Sequence, residues 1–136
     1  MAEHRICSLC VDAPWSGGME WAKNMGNSEH DGDEYISVIK DLRRAFDVLN
    51  SQSAIDSNRL GYVGHSLGAL CGAVLSGIDR RAKAYVLMSG TASFAEVAIA
   101  NMPDMKAEEK NRYRKVLADI DPILFVPHAA PASIMF

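Results

Sequence analysis

The chain has 136 residues, with 14 Lys+Arg against 17 Asp+Glu, a formal net charge of −3, and 49% hydrophobic and 23% charged residues. This composition fits a globular domain and argues against a disordered chain, a collagen-like repeat and a strongly basic nucleic-acid binder. No apolar run approaches the roughly 18–20 residues of a membrane span. An acid stands within Met1–Arg5 and only six residues lead to Asp12, a pattern unlike a signal peptide, so a cytoplasmic protein is expected.

In chain order, Arg5–Val11 reads as an apolar strand ending at Asp12-Ala13-Pro14. Cys7 and Cys10 form a C-x-x-C within that run. On a strand, residues i and i+3 point to opposite faces, so the pair is expected to be small buried thiols rather than a metal or redox site. Residues 14–33 hold Gly17, Gly18, Gly26 and Gly32 and read as a long loop. Asp31 and Glu34 have the spacing of a capping box opening a helix over Glu34–Leu49. In that helix Tyr35, Val38, Ile39, Leu42, Ala45, Phe46 and Leu49 recur with the helical period.

Ser51–Asn58 is a polar turn, Arg59–Gly64 a short strand, and a helix follows to about Gly77, with Cys71 as a small core residue. Lys83–Met88 is a second buried strand. Thr91–Asn101 and Asp104–Ala118 read as helices split at Pro103, Pro122 and Pro127 mark a connection, and Ala132–Phe136 a last strand. Uniformly apolar strands separated by helices predict an α/β fold. The expectation is one domain over 1–136, with a parallel sheet of about four strands and helices on both faces. The charged residues Asp104, Lys106, Glu108, Glu109, Lys110, Arg112, Arg114 and Lys115 read as a solvated mixed-sign face.

Gly64-His65-Ser66-Leu67-Gly68 fits G-x-S-x-G and stands between a strand and a helix, the setting in which this motif forms a sharp turn. Such a turn lifts the Ser66 hydroxyl clear of the sheet as a candidate nucleophile. The Leu67 N–H, at the helix start, is the candidate oxyanion donor. A side chain at either flanking glycine is expected to meet backbone. Gly68, Ala69, Gly72 and Ala73 keep the helix thin against the sheet.

Gly61-Tyr62-Val63-Gly64-His65-Ser66-Leu67-Gly68-Ala69 resembles the nucleophile elbow of the α/β-hydrolase superfamily, closest to dienelactone hydrolases, acyl-peptidases and bacterial esterases. Ile6–Pro14 resembles the strand and D-x-P turn of the family's strand four, Asp41–Ala45 the helix before the elbow, and Asp56–Gly61 the turn into strand five. Lys83–Gly90 is similar to strand six and Ala130–Phe136 to strand seven. The resemblance therefore covers about half of an eight-stranded sheet, as in a fragment. It implies a serine hydrolase acting on a small ester or acyl compound, with no cofactor, metal, nucleic acid or membrane involved. A dienelactone hydrolase typically carries cysteine as nucleophile, so serine at position 66 points to esterase or peptidase chemistry.

The family's triad acid follows strand seven and its histidine strand eight, and neither position exists in this sequence. His65 and His128 read as structural, as does His4; His30 reads as a solvated loop residue and Asp12 as a turn-former. Trp15 and Met102 are candidates to line an acyl pocket, with Met19, Trp21, Met25, Phe94, Val97 and Met105 near them, although helix packing explains them as well. Residues 91–127 are then candidate lid or crossover helices. The alternative is a non-catalytic binding or interaction module on the same scaffold. The family's strand three lies between its strands four and five. Without it, Arg5–Val11 must pair with Arg59–Val63 or both edges stay open, and self-association through open edges is expected.

Overall fold

The computed structural model describes residues 6–12 and 26–136. The periodic run beyond the loop forms α1, Ser28–Ser51, which begins six residues earlier than the sequence pattern indicates. Its cap is Asn27, whose side-chain oxygen accepts from the N–H groups of Glu29 and His30 at 3.2 and 3.1 Å. Asp31 therefore does not cap the helix. It lies inside the first turn, buried, and accepts a hydrogen bond from the Tyr113 hydroxyl, a partner 82 positions away that no local pattern reveals. Burial, with Asp31 beside it, pushes the Tyr113 hydroxyl pKa upward. The other carboxylate oxygen of Asp31 is buried without a partner. Tyr113→Phe leaves both oxygens poorly satisfied and is expected to lower the unfolding free energy by about 2 kcal/mol, read from urea denaturation. An unchanged midpoint would show that this bond carries no weight.

A 3-10 turn at Ser57–Arg59, capped by the Asp56 carboxylate on Asn58 N–H at 2.9 Å, leads into β1, Leu60–His65. Then come α2 (Leu67–Ile78), β2 (Ala82–Met88), α3 (Phe94–Asn101) and α4 (Ala107–Leu117). Three 3-10 turns, at Ala118–Ile120, Pro122–Leu124 and Val126–His128, bring the chain to β3, Ser133–Met135. The strands are parallel in the order β1-β2-β3, with Tyr62 beside Tyr85 and Tyr85 beside Ile134. The α/β class expected from the pattern is present, with three strands among the described residues rather than about four.

The missing strand is the first one expected. Ile6–Asp12 is extended-type sequence but forms no strand, and all seven residues are exposed. Cys7 and Cys10 are consequently exposed free thiols rather than buried ones, whereas Cys71 is buried and its thiol pKa is pushed up to about 12 by burial. Arg5 lies outside the described residues.

Two apolar clusters form the core, and α2 contributes to both. Leu70, Cys71 and Val74 face α1, α3 and α4, meeting Tyr35, Val38, Phe94, Tyr113 and Leu117. Ala69, Ala73 and Leu75 join Phe46 and the sheet residues Leu60, Tyr85 and Leu87. Tyr35 and Phe94 stack at 4.5 Å. The connection from β2 to β3 through residues 91–127 is thus part of the core, since Phe94, Tyr113 and Leu117 are completely buried.

Helices on both faces of the sheet were the expectation, and the burial pattern corrects it. Tyr62, Gly64, Tyr85 and Leu87 alternate onto the face that α2 covers. Val63 (67% exposed), Met88 and Met135 (65% exposed) mark the other face, which no helix covers among the described residues. No helix among the described residues is long and apolar enough to cross a membrane.

Ion pairs tie the outside together. Arg112 pairs with Glu29 at 2.6 Å and Arg114 with Glu96 at 2.7 Å, so part of the mixed-sign face of α4 reaches back to α1 and α3. A stronger set lies at the start of β2. Arg81 Nη2 lies 2.6 Å from Asp79 Oδ2, its Nε 2.9 Å from Asp79 Oδ1, and it also pairs with Asp47 of α1.

Candidate functional site

The turn between β1 and α2 has the geometry that G-x-S-x-G demands. Ser66 takes φ 53° and ψ −118°, a region that residues with a side chain rarely adopt. Its backbone is held on both sides. The Ser66 N–H donates to the Met88 carbonyl at 2.9 Å, and its carbonyl accepts from Ala69 and Leu70 N–H at 2.8 and 3.2 Å. These bonds continue the β1–β2 ladder and close the first turn of α2 at once. Ser66 occupies the cap position, yet its hydroxyl makes no capping bond. A serine there ordinarily satisfies an N–H of the first turn. Here the residue is exposed instead, and no side-chain hydrogen bond reaches its hydroxyl among the described residues. Leu67 and Gly68 follow as the first two helical residues, whose N–H groups have no acceptor within a helix.

The glycines around Ser66 differ in what they require. A Cβ at Gly64 would stand 2.4 Å from the Gly68 carbonyl oxygen and 2.5 Å from its carbon. That collision is with backbone, as the sequence leads one to expect. At Gly68 the nearest atom is the Tyr62 hydroxyl at 3.7 Å, so the expected collision there is absent. The helix is thin for Tyr62. Its ring passes 2.2 Å from where a Gly72 Cβ would be, and its hydroxyl donates to the Gly68 carbonyl at 2.7 Å. Burial raises the pKa of this hydroxyl, which stays a neutral donor. Tyr62 therefore clamps the first turn of α2 against β1. Sequence reasoning missed it, although Gly68 and Gly72, four apart on one helix face, signal a groove for a large ring.

A cavity of about 280 Å³ opens beside Ser66. Val38 and Leu42 of α1, Leu67 and Cys71 of α2, and Tyr62 form its apolar wall, with Val11, His65, Ser66 and Gly68 completing it. A second cavity, of about 320 Å³, lies between Ala69, Ala73, Leu87, Pro122 and Phe136 and does not include Ser66.

The remaining candidates are scattered. Met102 packs against the helical cluster and is not among the residues lining the Ser66 cavity; Val97 and Met105 pack there too. Trp15, Met19, Trp21, Met25 and His4 lie outside the described residues. His65 borders the cavity from the residue before Ser66. His30 is half-buried on α1, and Asp12 is exposed. His128 is exposed on the last 3-10 turn, where its carbonyl and that of Ala130 accept from Arg80 Nη1. Arg80 precedes β2, which puts His128 near the strands' N-terminal ends, whereas Ser66 follows the C-terminal end of β1. Ser89, at the end of β2 beside this turn, is a second serine with positive φ, 54°. Comparison with protein-family models, curated proteins and solved structures gives no match.

Proposed function

We propose that the chain carries the nucleophile segment of a serine hydrolase of the α/β-hydrolase type, acting on small carboxylic esters. The observation that supports this reading most is the backbone of Ser66, held at φ 53° in an exposed residue whose hydroxyl is unused as a cap. In this reading Ser66 Oγ adds to the ester carbonyl carbon and the carbonyl electron pair moves onto oxygen. The Leu67 N–H and the helix N-terminus stabilise that oxyanion. Collapse of the intermediate expels the alcohol and leaves an acyl group on Ser66, which water then removes. The hydroxyl proton needs an acceptor, because serine is a weak nucleophile without an adjacent base. Among the described residues no side chain hydrogen-bonds to the Ser66 hydroxyl, so the chain alone does not turn over in this reading. That same observation favours the second reading, a non-catalytic binding or interaction module built on this scaffold.

External base separates the two. Without it, wild type and Ser66→Ala are expected to hydrolyse p-nitrophenyl butyrate equally. With imidazole supplied as base, wild type is expected to exceed Ser66→Ala by about tenfold, a modest share of what a positioned base contributes. Equal rates under both conditions would favour the binding module. A wild-type rate that needs no imidazole and falls on both Ser66→Ala and His30→Ala would identify an internal base.

A further inference from the structure

We propose that Ser89, at the end of β2, receives the alcohol half of the ester, its hydroxyl hydrogen-bonding the alkoxy oxygen as that oxygen leaves the carbon attached to Ser66. This rests on the hydrolase reading above and adds a substrate class to it.

Ser66 and Ser89 are partners on adjacent strands. The β1–β2 register pairs His65 with Met88, and the bond from Ser66 N–H to the Met88 carbonyl carries the same ladder one residue further. Neighbouring strands lie about 4.8 Å apart, so the two serines stand side by side at the C-terminal ends of the strands. That is the edge at which open parallel sheets hold their ligands. The chain after Ser89 also runs close to α2, where a Cβ at Gly90 would stand 3.0 Å from that of Ala69. Among the described residues, Ser66 and Ser89 are the only non-glycine positions with positive φ, 53° and 54°, and both are exposed. Turn geometry alone does not call for serine at 89, since glycine adopts this φ freely. A side chain carried at a strained position beside a nucleophile marks a functional group.

Three directions lead away from the carbon that Ser66 attacks. The oxyanion takes the one toward the Leu67 N–H. On the α1 side lies the cavity walled by Val38, Leu42 and Cys71, with His65 at its border, and no residue of 89–93 lines it. That apolar wall suits an acyl chain, and the Tyr62 hydroxyl within it is engaged with the Gly68 carbonyl. The β2 side is left for the alkoxy group, and there Ser89 offers an O–H. Beyond it Gly90 and Thr91 open on the second cavity, of about 320 Å³, whose wall of Leu87, Pro122 and Val126 fits an apolar alcohol the size of a phenyl ring. When the tetrahedral adduct collapses, the C–O bond breaks and its electron pair stays on the alkoxy oxygen. A hydrogen bond from Ser89 stabilises that growing charge. The proton comes from the imidazolium formed when added imidazole took the Ser66 proton.

Imidazole-assisted cleavage of phenyl butyrate and p-nitrophenyl butyrate tests this, because the more basic phenolate needs the hydrogen bond and nitrophenolate leaves unaided. Ser89→Ala is expected to lose about tenfold on phenyl butyrate and less than about twofold on p-nitrophenyl butyrate, the selectivity of a donor aimed at developing charge. Ser89→Gly, free of the strained φ, is expected to show the same selective loss with a urea midpoint at or above that of wild type, which separates the loss from misfolding. Equal losses on the two esters, or none, overturn the proposal, and the hydrolase reading then still stands on the Ser66-dependent rate. A selective loss in His65→Ala without one in Ser89→Ala places the alcohol on the cavity side and also overturns it. Absence of any Ser66-dependent rate on either ester overturns both.

Discussion

Gly64→Ala is expected to lose about 3 kcal/mol or more of unfolding free energy, the upper range for overpacked sites, and with it the turn at Ser66. The added carbon meets the Gly68 backbone at 2.4 Å, and the first turn of α2 cannot retreat. It is fastened by Ser66 carbonyl bonds to Ala69 and Leu70 and by the Tyr62 hydroxyl. Gly68→Ala is the control. Its new carbon finds only the Tyr62 hydroxyl at 3.7 Å, and alanine favours a helix over glycine by about 1 kcal/mol, so stability is expected to hold or rise. Urea denaturation of the two variants in parallel separates backbone collision from glycine content. Equal losses would mean that the turn tolerates no side chain on either flank.

Arg81→Met is expected to remove about 3 kcal/mol at neutral pH, because it strands a buried carboxylate. Asp79 is 4% exposed and accepts three side-chain contacts from Arg81, with Arg43 Nε a further 3.4 Å away. The Arg81 hydrogen bonds, ahead of the opposing effect of burial, hold the Asp79 carboxyl below its ordinary range. The folded value is thus lower than the unfolded one. Its contribution is complete above about pH 4 and drains away as pH falls through the folded value. In Arg81→Met the largest cause of the lowering is gone, with the backbone N–H of residue 81 and Arg43 remaining, so the gap between wild type and variant is expected to narrow on acidification. Urea midpoints at neutral pH and at about pH 3 measure it. A gap of constant size would assign the loss to the Arg81 guanidinium over the Phe46 ring, 5.4 Å from its centroid.

What the sequence reveals and what it hides divide along the range of the interactions. The seven apolar positions of α1 recur at the helical period, and that helix is present. The Ser66 turn needs only a strand, a glycine at position 64 and a helix in succession, all within about a dozen residues. Ile6–Val11 has strand composition too, but a strand exists only by pairing, and among the described residues no neighbour pairs with it. Alternation likewise cannot say whether a second layer lies over Val63 and Met135, so strands that read as buried on both faces are covered by helices on one among the described residues. Asp31 has capping spacing, yet Asn27 precedes it and Tyr113 claims it from far along the chain. Met102 reads equally as pocket or packing, and only its packing against the helical cluster places it at the core.

The helix behind Ser66 belongs to both apolar clusters, and this bears on how the molecule comes apart. Leu70 and Val74 on one side and Ala69 and Leu75 on the other leave α2 no face that can be exposed alone. Separating the helical cluster from the sheet uncovers α2 whichever half it stays with, so neither half is a subunit of folding that persists without the other. The strain at Ser66 is held by this arrangement: the turn can relax only by opening that also costs the shared helix. A serine poised in this way keeps its shape through the small fluctuations that fray the rims of the fold, and loses it only when the whole structure yields.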